Sequence, residues 1–422
     1  KGFQEMGRQI DVLTEEIEKL KLGAVAEIKY ESFMGLGPAA SKVYAIDKGL
    51  SVGGYGEVIY ENYQDASKKD FADTYRFILY TGYKFNDWII MNTEIEFEHG
   101  GINNIGGSTT DVSPEVKSTK SPEVYVEFSY LDFLLSKGLN LRTGLILIPI
   151  GIINEYHEPT VYHGVSRPEV EINIIPGTWR DTGIMAYGSL GKLKYDVAFV
   201  NGLRADRFSN GNWIRGGRQQ GAGINADVWS ALARFNYEIM SDLSIGGTYY
   251  SGEAGHGTGR QQDPLGADEK EGDVNLWEIH TTYQFKGLYL RGLFASGSLD
   301  GNSALESAPP GDGDVGKKVE GWYLETAYNV MPHIRPASDM SLTPFVRYES
   351  YDTNKEVFTG SRDTTLDRTV TTAGLGFKPH PNVVIKADYQ WKDTESNLPE
   401  GKGTGLDENK IDQINLGVGF IF

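Results

Sequence analysis

The side chains best suited to chemistry lie in one segment, residues 149–177, which combines carboxylates, histidines and an arginine. The titratable positions singled out in it are Glu155, His157, Glu158, Arg167, Glu169 and Glu171. Imidazoles and carboxylates bind metal ions, and His157 and His163 are six positions apart with Glu155 and Glu158 nearby. This spacing matches no tight zinc motif and the chain contains no cysteine. We therefore predict no metal site and no cofactor, and assign these side chains to lining or bracing a passage.

The chain offers no recognisable catalytic set. Its 58 aspartates and glutamates are spread along the whole sequence, and no Ser/His/Asp set or isolated carboxylate pair stands out among them. The glycine-rich residues 252–257 precede no predicted helix, so they are not a phosphate-binding loop. We predict that the protein is not an enzyme.

The sequence around this segment alternates between apolar and polar residues with a period of two. Residues 411–422 show it most clearly, because Ile414, Leu416, Val418 and Phe420 alternate with polar or small residues. Such a strand avoids an aggregating edge if it closes a barrel, with one face toward lipid and the other toward water. Alternation of this kind predicts about sixteen strands, including strands over 88–99, 121–130 and 193–201, joined by alternating long and short connections.

Charged residues fall on the polar faces of the predicted strands. Three carboxylates on one face of strand 88–99 stay hydrated only if they face a water-filled lumen. The predicted lumen wall comprises Arg76, Glu94, Glu96, Glu98, Arg142, Arg291, Arg347, Lys386 and Asp388. The excess of carboxylates favours cations or neutral solutes over anions. In strand 121–130, Val124, Val126, Phe128 and Tyr130 are predicted to share one face.

Residues 149–177 form the third long connection of this scheme and are called the third loop below. The loop contains Ile152, Ile153, Ile174 and Ile175, which need an apolar surface to pack against, and four prolines that disfavour a long helix or strand. We expect the loop to fold inward and narrow the lumen. Residues 202–223, by contrast, are predicted as an ordinary loop.

Three regions are predicted along the chain. Residues 1–22 carry Ile10, Leu13, Ile17 and Leu20 at heptad-like spacing, which indicates a short periplasmic helix that associates as a trimeric coiled coil, or else a flexible amphipathic leader. Residues 23–49 are predicted as an extended linker, and residues 50–422 as the barrel.

Composition excludes two other classes of protein. No apolar run approaches the roughly 18 residues that a membrane-spanning helix needs. The net charge of −18 argues against nucleic acid as a partner. Aromatic residues make up 12% of the chain, with 52 glycines, as suits a barrel whose strands hide only half their side chains in lipid.

Several motifs carry a resemblance to a known family. They are PIGIINEYHEPTVYHGVSRPEVEINIIPGTW, LSVGGYGE, NTEIEFEH, PFVRYESYDT and KPHPNVVIKADYQ. Over roughly residues 38–422 the chain resembles porins grouped with the phosphate-selective porin O and P family, and the third loop is the most specific block. The resemblance implies a trimeric outer-membrane porin of sixteen antiparallel strands with an inward-folded third loop. The resemblance does not identify the transported solute, because the third loop contains Arg167 but no lysine.

These observations predict an all-β transmembrane barrel in the outer membrane of a Gram-negative bacterium. It would be a homotrimeric porin in contact with outer-membrane lipid, with its N-terminus in the periplasm. Small hydrophilic solutes or ions would diffuse passively through a water-filled pore narrowed by the third loop. The alternative is a barrel that forms a sheath around a partner protein, such as a periplasmic electron carrier.

Overall fold

The barrel predicted from the alternation is present. A computed structural model describes residues 31–65, 68–100, 123–224, 226–255, 271–301, 315–395 and 410–422. In it, sixteen antiparallel strands form one closed barrel in which sequence neighbours pair throughout. The strands are β1 Gly49–Tyr63, β2 Phe71–Lys84, β3 Ile89–Glu98, β4 Glu123–Ser136, β5 Leu139–Leu147, β6 Arg180–Leu190, β7 Leu193–Asn201, β8 Trp229–Met240, β9 Leu243–Ala254, β10 Gly272–Phe285, β11 Leu288–Gly301, β12 Gly316–Tyr328, β13 Ser341–Val357, β14 Asp367–His380, β15 Val383–Thr394 and β16 Gln413–Ile421. The predicted fold class is confirmed.

The barrel closes where β16 pairs with β1. The register runs from Tyr55 opposite Ile421 to Tyr63 opposite Gln413. Beyond β16, Phe422 and Gly54 exchange two backbone hydrogen bonds, each 2.9 Å long. This pairing satisfies the backbone groups that an open sheet edge would leave exposed.

The two faces of the barrel differ in chemistry, as the alternation predicts. In β16 the outward side chains of Leu416, Val418 and Phe420 are exposed, whereas Gln413 and Asn415 are buried on the inner face. An apolar outer face and a polar inner face are the pattern of a barrel that stands in lipid around a hydrated lumen.

A β-bulge interrupts the pairing of β3 with β4. Glu94 pairs with Phe128, but the next residue, Ile95, pairs with Val126. Glu127 is therefore an extra residue on β4 with no direct partner on β3. A bulge of this kind shifts the alternation of its strand by one position and can turn a side chain toward the other face.

This bulge overturns one expectation from the sequence. Val124 and Val126 are each 41% exposed on the outer surface, but Phe128 and Tyr130, at 0% and 3%, lie on the inner one. The prediction that these four residues share a face is wrong, because the extra residue between them reverses the alternation.

Residues 31–48, called the N-terminal segment below, lie inside the barrel near the short connections. They form turns and a helix, α1 (Lys42–Ala45), with Leu36, Ala39 and Ala40 buried. The wall holds the segment through Asn92, whose amide donates to the Ala40 carbonyl at 2.9 Å. This part of the predicted extended linker is compact instead, because it packs against the inner wall. The helix predicted over residues 1–22 lies outside the described residues.

Two long connections enter the lumen. The third loop contains a helical turn, α2 (Val170–Asn173), and most of its side chains are buried. Residues 202–228, called the fourth loop below, contain short 3₁₀ turns at Ala205–Arg207 and Arg215–Gly217 and bury Trp213. A further helical turn, α3 (Met331–Ile334), joins β12 to β13. No helix in the described ranges has the length and apolar character to cross a bilayer.

Candidate functional site

The third loop is braced by its own carboxylates. Glu171 accepts hydrogen bonds from the backbone N–H groups of Ile152 and Ile153, at 2.8 and 2.7 Å, and from the Tyr323 hydroxyl at 2.6 Å. It thereby ties both arms of the loop to β12. Burial raises the pKa of Glu171 above its ordinary value, although these hydrogen bonds oppose the change.

Glu158 connects the third loop to the N-terminal segment. Its carboxylate accepts from the Ala39 N–H at 2.8 and 3.0 Å and from the Ala40 N–H at 3.0 Å. Burial raises the pKa of Glu158 to about 7, against the effect of these N–H donors. The two segments in this part of the lumen therefore hold each other in place.

The other acidic groups of the loop pair with cations of the wall. Glu155 accepts from Arg234 of β8 at 2.8 Å, and burial raises its pKa to about 7 although Arg234 lowers it. Glu169 lies 3.0 Å from the Lys392 ammonium and accepts from the Tyr351 hydroxyl at 2.6 Å. Burial would raise the pKa of Glu169, but Lys392 and this hydroxyl together lower it to about 2.

Most of the predicted lumen-wall residues also face other protein groups. The Arg76 guanidinium pairs with Glu57 at 2.9 Å, and Arg142 pairs with Asp132 at 2.8 Å.

The Lys386 ammonium donates to the Gly164 carbonyl of the third loop at 2.8 Å. Further contacts hold the loop to the wall: Asp388 accepts from Val165 N–H at 2.6 Å and Arg291 donates to the Val161 carbonyl at 2.8 Å. Glu94 and Glu96 are buried, whereas Glu98 is half-buried and lines a cavity.

Arg347 is the most tightly held of these cations. It is fully buried on β13, pairs with Glu349 at 2.7 Å and Glu325 at 3.3 Å, and reaches the Ser166 carbonyl at 3.5 Å. We expect Arg347→Ala to lower the free energy of unfolding by about 3–5 kcal/mol, because it leaves the buried Glu349 carboxylate without its cation and removes one of the partners of Glu325. Urea unfolding in detergent, followed by tryptophan fluorescence, measures this.

The matched control for that variant is Lys355→Ala. Lys355 and Glu320 form an exposed ion pair 3.7 Å apart. Removing it should change the free energy of unfolding by no more than about 0.5 kcal/mol, because exposed pairs are screened by solvent. Equal effects of the two substitutions would contradict the role assigned to the Arg347 network.

A cavity of about 390 Å³ remains between the third loop, the fourth loop and the inner wall, toward the long connections. It is called the arginine cavity below. Its charged lining residues are Arg76, Arg167, Arg180, Arg215 and Arg218, with Glu61, Glu98 and Glu123. Five cations therefore face three anions. A second cavity, of about 630 Å³, lies toward the short connections and shares no lining residue with the first among the residues described.

Two arginines of the fourth loop donate hydrogen bonds to backbone carbonyls of the third loop. Arg218 donates to the carbonyls of Gly177 and Thr178, and Arg215 donates to the Ile172 carbonyl at 3.5 Å. Burial, together with the nearby charges of Arg215 and Arg180, lowers the pKa of Arg218 to about 9. Mutual repulsion of this kind is relieved by an anion.

Of the six third-loop residues singled out from the sequence, only Arg167 lines the arginine cavity. It also donates to the Thr178 hydroxyl at 2.7 Å. Glu155, Glu158, Glu169 and Glu171 contact the protein partners described above. Their assignment to a pore constriction stays a prediction.

Arg215 and Arg218 are not among the site residues predicted from the sequence. A usable signal was present, because Trp213 and Ile214 are large apolar residues within a connection. Both are buried, and the Trp213 indole N–H donates to the Gly316 carbonyl at 3.0 Å. The same argument that directs the third loop inward applies to the fourth.

A protein of Aquifex aeolicus (strain VF5), described as uncharacterized, is 34% identical over 392 residues, which cover 90% of this chain and 84% of the relative. The chain belongs to the family of this Aquifex protein. No family model matches the sequence, so the resemblance to the phosphate-selective porins gains no support from that comparison.

Solved structures share the architecture at low sequence identity. OmpT of Vibrio cholerae is 11% identical, with a TM-score of 0.53 over 89% of this chain and 98% of that one. Salmonella typhi OmpF is 13% identical, with a TM-score of 0.54 over 89% and 98%. The outer membrane channel DcaP of Acinetobacter baumannii is 12% identical, with a TM-score of 0.52 over 88% and 97%. The likeness shows a shared porin-like barrel fold.

Proposed function

We propose that the protein is an outer-membrane porin through which small hydrophilic solutes or ions diffuse passively. The observation that carries this proposal is a closed barrel, apolar outside and charged inside, whose lumen contains the largely buried third loop. A barrel of sixteen strands is wide enough to leave an aqueous channel, and folded-in loops set its free cross-section. Such a pore needs no catalytic group, cofactor or nucleic acid.

The arginine cavity supports a preference for anions at the long-connection side. Arginines outnumber glutamates in its lining, five to three, or four to three when Arg76, which is paired with the buried Glu57, is left out. Several of the carboxylates counted from the sequence, such as Glu57 and Glu349, are instead paired with buried arginines. The overall carboxylate excess is therefore a poor guide to the potential that a solute meets, which depends on the charges facing the passage.

The cellular location and the oligomeric state of the protein are part of the same proposal. The structural neighbours include a protein named an outer membrane channel and an OmpT structure described as a trimer form. By analogy, we assign this chain to the outer membrane of a Gram-negative bacterium as a homotrimer in contact with lipid. The N-terminal segment lies at the short-connection end, which is the periplasmic end in such barrels. Membership of the phosphate-selective porin O and P family remains a proposal of the same kind.

The alternative of a sheath around a partner protein has less support. The third loop, the fourth loop and the N-terminal segment all occupy the lumen, and their contacts with the wall include buried hydrogen bonds such as that from Asn92 to Ala40. A threaded protein, such as a periplasmic electron carrier, would have to displace them.

Planar-bilayer recording tests the proposal. We expect stepwise ion conductance from the purified protein and a reversal potential that shows anion preference in a salt gradient. Arg167→Ala should reduce the anion-to-cation permeability ratio by roughly twofold, because it removes one cation from the arginine cavity. Arg335→Ala, at an exposed position beside α3, should leave the ratio unchanged. A folded barrel that passes no ions would exclude the porin function.

A further inference from the structure

Three buried ionisable side chains meet where the third loop contacts the wall. They are Glu94 of β3, Glu127 of β4 and His157 of the third loop, and one ligand atom from each lies within 4.8 Å of the other two. The His157 Nε2 atom is 3.7 Å from a Glu94 carboxylate oxygen and 3.9 Å from a Glu127 oxygen. None of the three side chains is more than 2% exposed.

These atoms lack the hydrogen bonds that buried polar groups normally make. Among the described residues, no hydrogen-bond donor contacts either carboxylate oxygen of Glu94 or Glu127, or His157 Nε2. The Arg180 guanidinium lies 3.8 Å from Glu127, which exceeds hydrogen-bond length. Buried carboxylates are otherwise hydrogen-bonded, paired or bound to metal, because leaving them bare costs several kcal/mol each.

The histidine is oriented as metal-binding histidines are. Its Nδ1 atom is 2.8 Å from the Asn154 carbonyl and donates to it, which leaves the lone pair of Nε2 directed at the two carboxylates. Asn154 is itself fixed, since its amide donates to the carbonyls of Ile148 and Trp179 at 2.7 and 3.0 Å. The loop thus presents one imidazole nitrogen in a defined position.

The β-bulge supplies the third side chain. Without the extra residue, alternation from Phe128 would place Val126, not Glu127, on the inner face of β4. The bulge turns Glu127 inward beside Glu94, and bulges commonly re-aim side chains in this way next to functional sites. Two strands and a loop that are far apart in sequence therefore converge on one point.

We propose that Glu94, Glu127 and His157 bind a divalent transition-metal ion of the zinc class, which fastens the third loop to the barrel wall. Imidazole together with carboxylates suits zinc and its neighbours, whereas calcium and magnesium prefer oxygen ligands alone. Ligand atoms about 2.0–2.1 Å from a tetrahedral zinc ion lie about 3.4 Å from each other. The two separations from Nε2 would have to shorten by a few tenths of an ångström, and the carboxylate oxygens, which lie within 4.8 Å of each other, would have to adjust as well.

The proposed metal ligands differ from the residues that sequence spacing suggests. That spacing groups His157 with His163, Glu155 and Glu158, but in the structure the last three residues contact other partners. His163 pairs with Glu325 at 2.9 Å, and the two glutamates bind Arg234 and the N-terminal segment. The carboxylates that face His157 come from strands some 30 and more residues away, so local spacing could not find them.

Metal analysis of the untagged full-length protein tests the proposal. The protein, purified in detergent, is stripped with a chelator, incubated with Zn²⁺, desalted and analysed by mass spectrometry of the metal. We expect about one zinc per chain in the wild type, and loss of it in His157→Ala and in the isosteric Glu127→Gln. His163→Ala, which changes another histidine of the same loop, should retain the metal.

The thermal unfolding midpoint provides a second measurement, which also serves for variants that fold poorly. Zn²⁺ should raise the thermal unfolding midpoint of the stripped wild type by several degrees, and should not do so for Glu127→Gln. Zinc content in the wild type no greater than in His157→Ala would overturn the proposal. So would an infrared band of a protonated carboxyl group that persists after zinc treatment and disappears in Glu94→Gln, because a shared proton would then hold the two carboxylates together. Neither result depends on whether the barrel conducts ions.

Discussion

A chain that begins at Asp47 should form a much more conductive pore than the full chain. This deletion removes residues 1–46 and with them nearly all of the N-terminal segment, whose Leu36 and Ala39 are buried in the lumen. A barrel of this strand number without the segment has room for a wider aqueous channel. We expect single-channel conductance to rise by roughly threefold or more, as measured in planar bilayers at fixed salt concentration.

The control for this deletion is a chain that lacks residues 1–30 only. It keeps every described residue of the N-terminal segment, including the N–H groups of Ala39 and Ala40 that bind Glu158. The effect assigned to the N-terminal segment is the difference in conductance between the two shortened chains. If the longer deletion gives a folded barrel with unchanged conductance, the segment does not obstruct the pathway and the assignment fails.

Reversing two charges of the fourth loop should reverse the ion preference. Arg215→Glu with Arg218→Glu changes the lining of the arginine cavity from five arginines and three glutamates to three arginines and five glutamates. The local potential that attracts anions then attracts cations. We expect the anion-to-cation permeability ratio to fall by roughly tenfold and to pass below unity, as read from the sign of the reversal potential.

Arg204→Glu with Arg207→Glu provides the matched control. Both positions are on the fourth loop but do not line the arginine cavity, so the change in net charge is the same. This variant should keep the wild-type sign of the reversal potential. The difference between the two double variants should also shrink at high salt, because mobile ions screen the lining charges. Equal shifts in both would show that net charge, not the arginine cavity, sets the preference.

The strands could be predicted because alternation reports which way a side chain points. It predicts a strand over 193–201, and the structure has β7 at Leu193–Asn201. It places Arg347 and Lys386 on the inner face, where both lie buried. The alternation fails at β4, where one extra residue, Glu127, shifts the register. A bulge leaves no mark in the apolar and polar pattern, since it depends on pairing with the neighbouring strand.

The candidate site could be predicted only in part, for a physical reason. Alternation shows that Arg347 faces inward but not that Glu325, Glu349 and Ser166 fill the space in front of it. Whether an inward charge meets water or a partner depends on how loops fill the lumen. The apolar content of the third loop reveals its inward path, whereas several contacts of its carboxylates come from residues far away in the sequence, as with Ala39 and Glu158, which are 119 positions apart.

The seam between β1 and β16 has a consequence for the order of folding. Tyr55 must find Ile421 across almost the whole sequence, whereas every other strand pairs with its immediate neighbour. The entropic cost of bringing such distant segments together grows with their separation, and contacts of this range slow the approach to the native state. Hairpins should therefore form early and the pairing of β1 with β16 should form last. A late folding intermediate would then be an open sheet with two unpaired edge strands, which must be protected from aggregation until they pair.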